Sequence, residues 1–302
     1  MNILITTCSQ ALIYSILSLG LFIAFRVLNF ADMTAEGSLT LGGSVCALLI
    51  TKGLNPILSL IISGLIGSLA GLITGFLHTK LKIQAILSGI LTMTALYSIN
   101  IKILGKANLS LLGQGTIFKF FGDTQISNFL VIFLICAILL VILILFFKTR
   151  LGLAIRATGD NEQMMRSQGI NTDFKKILAL MLSNAICAVA GALIAQSNGY
   201  ADVTMGMNTI VIALASIVIG EVIIKKESFM FKLTNVILGS VCYRFIILFI
   251  LKLGMNPSDL KLFTAIIVAV LLALPSIKKI IKRSIKNVKN CKFMQNFSQK
   301  ST

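Results

Sequence analysis

Apolar runs of close to 20 residues recur along nearly the whole of this 302-residue chain. A helix needs about that many apolar residues to cross the hydrocarbon core of a bilayer, and a soluble core could not hide so much apolar surface. The runs are continuous rather than alternating, which argues against the strands of a membrane barrel. Composition agrees: 57% of residues are hydrophobic, 12% are charged, and the mean hydropathy is +0.96. The expected fold class is all-α integral membrane, with about nine transmembrane segments near residues 3–25, 38–51, 57–77, 83–101, 129–147, 177–197, 208–224, 229–251 and 261–275. The second is short enough for a half-helix. Met1–Phe25 has no basic leading region and reads as a retained span rather than a cleaved signal. The expected division is a transmembrane unit over 1–277 and a basic cytoplasmic tail over 278–302.

Net charge is +17, yet its distribution points to a lipid surface and not to nucleic acid. Eight of the 27 basic residues follow Ser276, with no acidic residue among them. Such a run directly after a span anchors against anionic lipid on the cytoplasmic side. Lysine and arginine are also concentrated in loops 26–37, 78–82, 148–176 and 225–228, which places the amino terminus outside and the carboxyl terminus inside.

The longest of these loops, Lys148–Lys176, holds six basic and three acidic residues, with Gly159 and Gly169 ten apart and a short amphipathic run between them. A second pattern lies in the breaks between spans. Phe30-Ala31-Asp32-Met33-Thr34 recurs as Tyr200-Ala201-Asp202-Val203-Thr204, an offset of 170, each with an asparagine just upstream. Five spans separate the copies, an odd number, so the repeat is expected to be inverted. Polar breaks at matching places in inverted halves supply free backbone groups at membrane depth, as in transporters.

Enzyme chemistry finds no support. GxSxG, HExxH and paired carboxylates at an acid/base spacing are missing, as is the P-loop, so the chain is expected to carry no ATPase of its own. His78 stands alone and the six cysteines form no CxxC, which leaves no motif for a metal. Gln84, Ser88, Thr92 and Asn100 fall at multiples of four and share one helix face. That face either lines a water-filled path or packs through interhelical hydrogen bonds, and both readings stand. Arg244, near the middle of its span, should have a partner or reach water, and Glu221, Asp32 and Asp202 are candidate partners. The residue reads either as half of a structural ion pair or as a substrate contact on the pathway. Asp32 and Asp202 are also placed to cap the helices that follow them.

These stretches resemble a known family. Phe25–Thr34 with Gly37-Ser38 and Leu41-Gly42, Gln84–Asn100, Leu151-Gly152 through Arg156-Ala157-Thr158-Gly159-Asp160-Asn161 to Gly169-Ile170-Asn171, and Val241–Arg244 are similar to permease subunits of bacterial ABC importers of the branched-chain amino acid/ribose type. Within that group the likeness is to amino-acid permeases assigned to tryptophan or tyrosine. It runs from about residue 10 to 275, and the Arg-Ala-Thr-Gly-Asp-Asn…Gly-Ile stretch is its most specific part. The resemblance implies a multi-pass subunit of the bacterial cytoplasmic membrane, paired with a second copy of itself. It also implies a P-loop ATPase subunit that binds the ATP, with no cofactor on this chain, and an extracytoplasmic solute-binding protein that delivers a small polar solute, an amino acid in this subgroup. Loop 148–176 would then be the coupling segment seated on the ATPase, with Arg156, Gly159, Asp160, Asn161, Met164, Met165 and Gly169 as its working residues. On that reading Gly159 and Gly169 turn the chain, Asp160 and Asn161 suit a helix N-cap, and Met164 and Met165 offer adaptable apolar contact. The alternatives are an ion-coupled secondary carrier, which needs ionisable groups deep in several spans, and an ABC importer for a sugar or nucleoside.

Overall fold

Helix starts in this chain are set by capping side chains and by proline. In the computed structural model, which describes residues 2–120, 122, 124–223, 228–252, 266, 269 and 270, Asn55 accepts the Ile57 amide at 2.9 Å and Pro56 takes the first position of α3 (Pro56–Thr79). Before it come α1 (Asn2–Phe22), prolonged by a π-helical turn over Ile23–Val27, and α2 (Thr34–Thr51). After it come α4 (Ala85–Leu104), strand β1 (Asn108–Ser110), the short α5 (Ile117–Phe120) and α6 (Gln125–Lys148). The polar loop holds α7 (Arg150–Asp160) and α8 (Glu162–Ser167), followed by α9 (Thr172–Asn198), β2 (Tyr200–Asp202), α10 (Thr209–Ile223) and α11 (Phe229–Lys252).

Seven of these helices are long and apolar enough to cross a membrane, and α10 is an eighth, shorter apolar one. The all-α membrane class holds, with a small correction to its details. The short segment is not the second: α2 has 18 residues, whereas α10 has 15, about 22 Å of helix against a hydrocarbon core of about 30 Å. The ninth expected span, 261–275, lies almost wholly outside the described residues, as do Cys291 and the tail.

Helix α9 runs through the centre, against α1, α2 and α3. The most apolar stretches of α1 and α2 are 78% buried and that of α9 is 67% buried, whereas that of α6 is only 17% buried, which makes α6 a peripheral helix. Close approach at the centre depends on glycine. A Cβ added at Gly42 would meet the carbonyl of Ala188, and one at Gly191 the carbonyl of Leu39. The segment Ala188–Ala195 is thus the surface on which α2 rests.

Contacts fix helix directions. Ser38 bonds Asn184 at 2.7 Å and Gln196 reaches Cys46 at 3.2 Å, so α2 and α9 are parallel. Ser18 meets Ser240 of α11 at 3.2 Å, where the neighbouring Gly239 lies against Ser216 of α10, and Arg26 meets Glu221, which sets α1 parallel to α10. The unit α1–α2–α3 is therefore repeated by α9–α10–α11 in the opposite sense, about the two Ala-Asp motifs. After α9 ends at Gly199, β2 pairs antiparallel with β1, and the chain then turns back into the bundle. Gly206 backs onto Glu36 and Thr40, about ten residues below Cys46 along α2. Helix α10 thus begins about 15 Å in from that end.

Candidate functional site

The polar loop is built on α7. Thr149 caps it through the Gly152 amide at 3.3 Å, and Gly152, Ile155 and Thr158 turn inward. Gly159 follows on the same inner side, where a Cβ would strike the carbonyl of Val27. The Gly159 carbonyl accepts the Asn29 Nδ2–H at 3.0 Å. Asn29 sits at φ 54, in a left-handed region that asparagine tolerates. The loop is thereby latched to the first of the two breaks.

Asn161 then turns the chain in an extended conformation and caps α8 through the Met164 amide at 3.0 Å. A charge network holds α8 against α9: Glu162 binds Arg166 at 2.9 Å and Lys176 at 2.7 Å, and Arg166 reaches Asp173 at 3.1 Å. Partial burial works to raise the Glu162 carboxyl, but the hydrogen bond and charge of Lys176, with those of Arg166, outweigh it and hold its pKa below the ordinary value. Gly169, at φ 75, ends this turn. Between the loop and the bundle lies a cavity of about 300 Å³ with Arg26, Asn29, Arg156, Asp160, Glu221 and Lys232 among its lining residues. Within it the Arg156 guanidinium lies 4.1 Å from the centre of the Phe229 ring.

The first break leads inward. Asp32, fully buried, accepts the Thr34 amide at 2.8 Å and the Asn184 side chain at 2.7 Å, tying the start of α2 to the middle of α9. One turn into α2, Glu36 accepts the Ile210 amide at 3.5 Å and so caps α10. Beside Glu36 a recess of about 40 Å³ reaches Asn100 of α4. Asn100 is 1% exposed; its Nδ2 donates to the Gly37 carbonyl at 3.3 Å, while its Oδ1 has no partner.

The profile of the family described as branched-chain amino acid transport system / permease component matches residues 3–275. The chain belongs to that family. The permease is 42% identical over 300 residues, 99% of each chain, to the tyrosine transport system permease protein of Clostridioides difficile. It is 26% identical to the fructose import permease protein FruF of Bifidobacterium longum, over 89% of this chain and 76% of that one. Among solved structures, PsaBC from Streptococcus pneumoniae in complex with Fab shares its fold, with a TM-score of 0.50 at 18% identity over 89% of both chains.

The geometry separates the expected site residues. Arg156, Gly159, Asp160 and Asn161 do cluster at one end of the permease, but their local roles need correction. Gly159 is helical, and its lack of a side chain permits contact with Val27 rather than a turn. Asp160 closes α7 and lines the cavity, so the cap is Asn161 alone. Met164 is 53% exposed but Met165 is 5% exposed and cannot offer contact; Leu151 and Leu153, which the sequence reading passed over, are 44% and 51% exposed instead. Their signal was the helical period of the buried positions 152, 155 and 158.

In the span face, Gln84 is exposed at the start of α4 and makes no cap. Ser88 and Thr92 donate their hydroxyl protons to the Ala85 and Ser88 carbonyls within their own helix, so of this face it is Asn100 that holds a buried polar atom without a partner. Asp32 caps α2 as expected. Asp202 instead accepts the Thr204 amide at 2.6 Å in the turn before α10, and Glu36, which the sequence reading did not single out, takes the helix itself. Arg244 has none of its three candidate partners. Glu221 pairs with Arg26, and Arg244 lies 3.9 Å from the centre of the Tyr14 ring, with its Nε unpartnered.

Proposed function

We propose that this permease is the membrane-spanning subunit of an ATP-driven importer of an amino acid, and that α7 and α8 are where a separate ATP-binding subunit acts on it. The observation that carries the coupling reading is the latch between Asn29 and Gly159. A displacement of α7 must move Val27 and Asn29, and through them the Asp32 cap of α2. The same end holds Arg26 against Glu221 at the foot of α10. One push on the loop thus reaches both inverted units, whose rocking would open the path first to one side and then to the other. Leu151, Leu153 and Met164 offer the ATPase apolar contact beside the charged Asp160. The likeness to a tyrosine transport permease supports an aromatic amino acid as cargo, delivered by a solute-binding protein outside, with a second copy of this chain completing the path.

Proteoliposomes that hold the permease with its ATPase subunit should accumulate L-tyrosine only when ATP and the binding protein are supplied. Uptake driven by an ion gradient without ATP would return the secondary carrier. Asp160→Lys and Met164→Glu should release the ATPase subunit from folded permease in co-purification. If both leave the complex intact, α7 and α8 are not the coupling element.

A further inference from the structure

We propose that the recess between α2, α4 and the re-entrant segment before α10 is the receptor for the ammonium group of the transported solute, with Glu36, Asn100 and Thr40 as its ligating residues. The inference rests on the import reading above and names the site and the chemistry that it leaves open.

Three features converge there. The recess lies about 15 Å below the end of the bundle, at a depth where a carboxylate is costly and is kept for a use. Glu36 already caps α10, but a cap does not require net charge, since the neutral oxygens of serine, threonine and asparagine also serve. Second, Asn100 donates to Gly37, which fixes the orientation of its amide and leaves Oδ1 as a buried acceptor without a donor. An orphaned buried acceptor of this kind is costly to leave unpaired, and a ligand that donates to it would recover that cost. Third, none of the residues lining the recess is basic, while Thr40 and Tyr97 add hydroxyls and Met93, Val203 and Met207 form the apolar remainder.

The occupant therefore meets one carboxylate and no basic side chain, which favours a cationic donor, and it must be small at the point of contact. An ammonium head has three N–H donors, matching the Glu36 carboxylate, Asn100 Oδ1 and Thr40 Oγ1. About 40 Å³ is room for such a head and not for a whole amino acid. The solute's apolar part would extend along Met93, Tyr97 and Met207. A carboxylate would face Glu36 with no basic side chain to offset the repulsion, and a neutral sugar would leave the Glu36 charge uncompensated.

The test is binding of tritiated L-tyrosine to the permease–ATPase complex in nanodiscs, without the binding protein, alongside ATP-driven uptake by the complete importer. Tyramine, which keeps the ammonium, should compete within a few-fold of tyrosine, and 3-(4-hydroxyphenyl)propionate, which lacks it, should not. Glu36→Gln keeps an oxygen for the Ile210 amide but removes the charge, and should weaken tyrosine binding on the order of 10-fold. It should also erase the preference for tyramine over the propionate, which a merely structural defect would leave in place. Asn100→Ala should weaken binding several-fold, and the two changes together should cost less than their product, because both act on one head group. Uptake that persists while both variants keep wild-type affinity and preference overturns the receptor and spares the importer. Equal competition by the propionate, or no saturable binding of tyrosine or tyramine, overturns it as well. Absence of ATP-driven uptake of any amino acid by the wild-type importer overturns both.

Discussion

Arg244 shows how a single charge is accommodated inside this bundle. Its guanidinium rests on the Tyr14 ring rather than on a carboxylate, so desolvation is offset by the ring's quadrupole and not by an ion pair. That arrangement makes a specific claim about Tyr14. Tyr14→Phe keeps the ring face and should leave thermal stability in detergent close to wild type. Tyr14→Leu removes it and should cost about 1–2 kcal/mol, the range for a desolvated cation–π contact. Equal melting temperatures for the two variants would show that the ring carries none of the charge.

The element that most depends on charge is α8. The Glu162 carboxyl titrates below its ordinary value in the folded protein, so the clamp to Arg166 and Lys176 contributes fully above the unfolded pKa of about 4.3 and is lost as pH falls through the lower folded value. Amide exchange over 161–170 should therefore be unchanged between pH 8 and 5.5, after correction for intrinsic rates, and rise below pH 4. Glu162→Gln should show the raised exchange at every pH. Helix α7 depends on space. Gly159→Val forces a side chain into the Val27 carbonyl and should separate loop from break, which lowers ATP-driven uptake at least 10-fold per folded complex while ATP binding by the partner persists. Uptake within two-fold of wild type would show that the latch transmits nothing.

For the whole molecule, the two re-entrant breaks open toward opposite ends. The bias of lysine and arginine assigns the α7–α8 end to the cytoplasm, and helix alternation then fixes every other loop. In a cysteine-free background, Gln168→Cys, at an exposed position, should be shielded from an impermeant thiol reagent in intact cells and Lys106→Cys labelled. Labelling at 168 from outside would reverse the orientation and, with it, the side from which the Glu36 recess fills.

Much of this was legible in the chain. Transmembrane helices announce themselves because lipid demands continuous apolar length, so α1, α3, α4, α6, α9 and α11 fall close to the expected segments. The repeat was visible because Asp32 and Asp202 each bond a local amide, a demand that residue type alone expresses. What the sequence could not express was pairing across the bundle. Glu221 answers Arg26 from 195 residues away, Glu36 caps a helix that starts 173 positions later, and Gly159 matters because Val27 lies against it. Local propensity and hydropathy decide which segments enter the bilayer. Which polar groups are satisfied there, and that Asn100 Oδ1 is not, depends on distances set only when α2, α4, α9 and α10 pack.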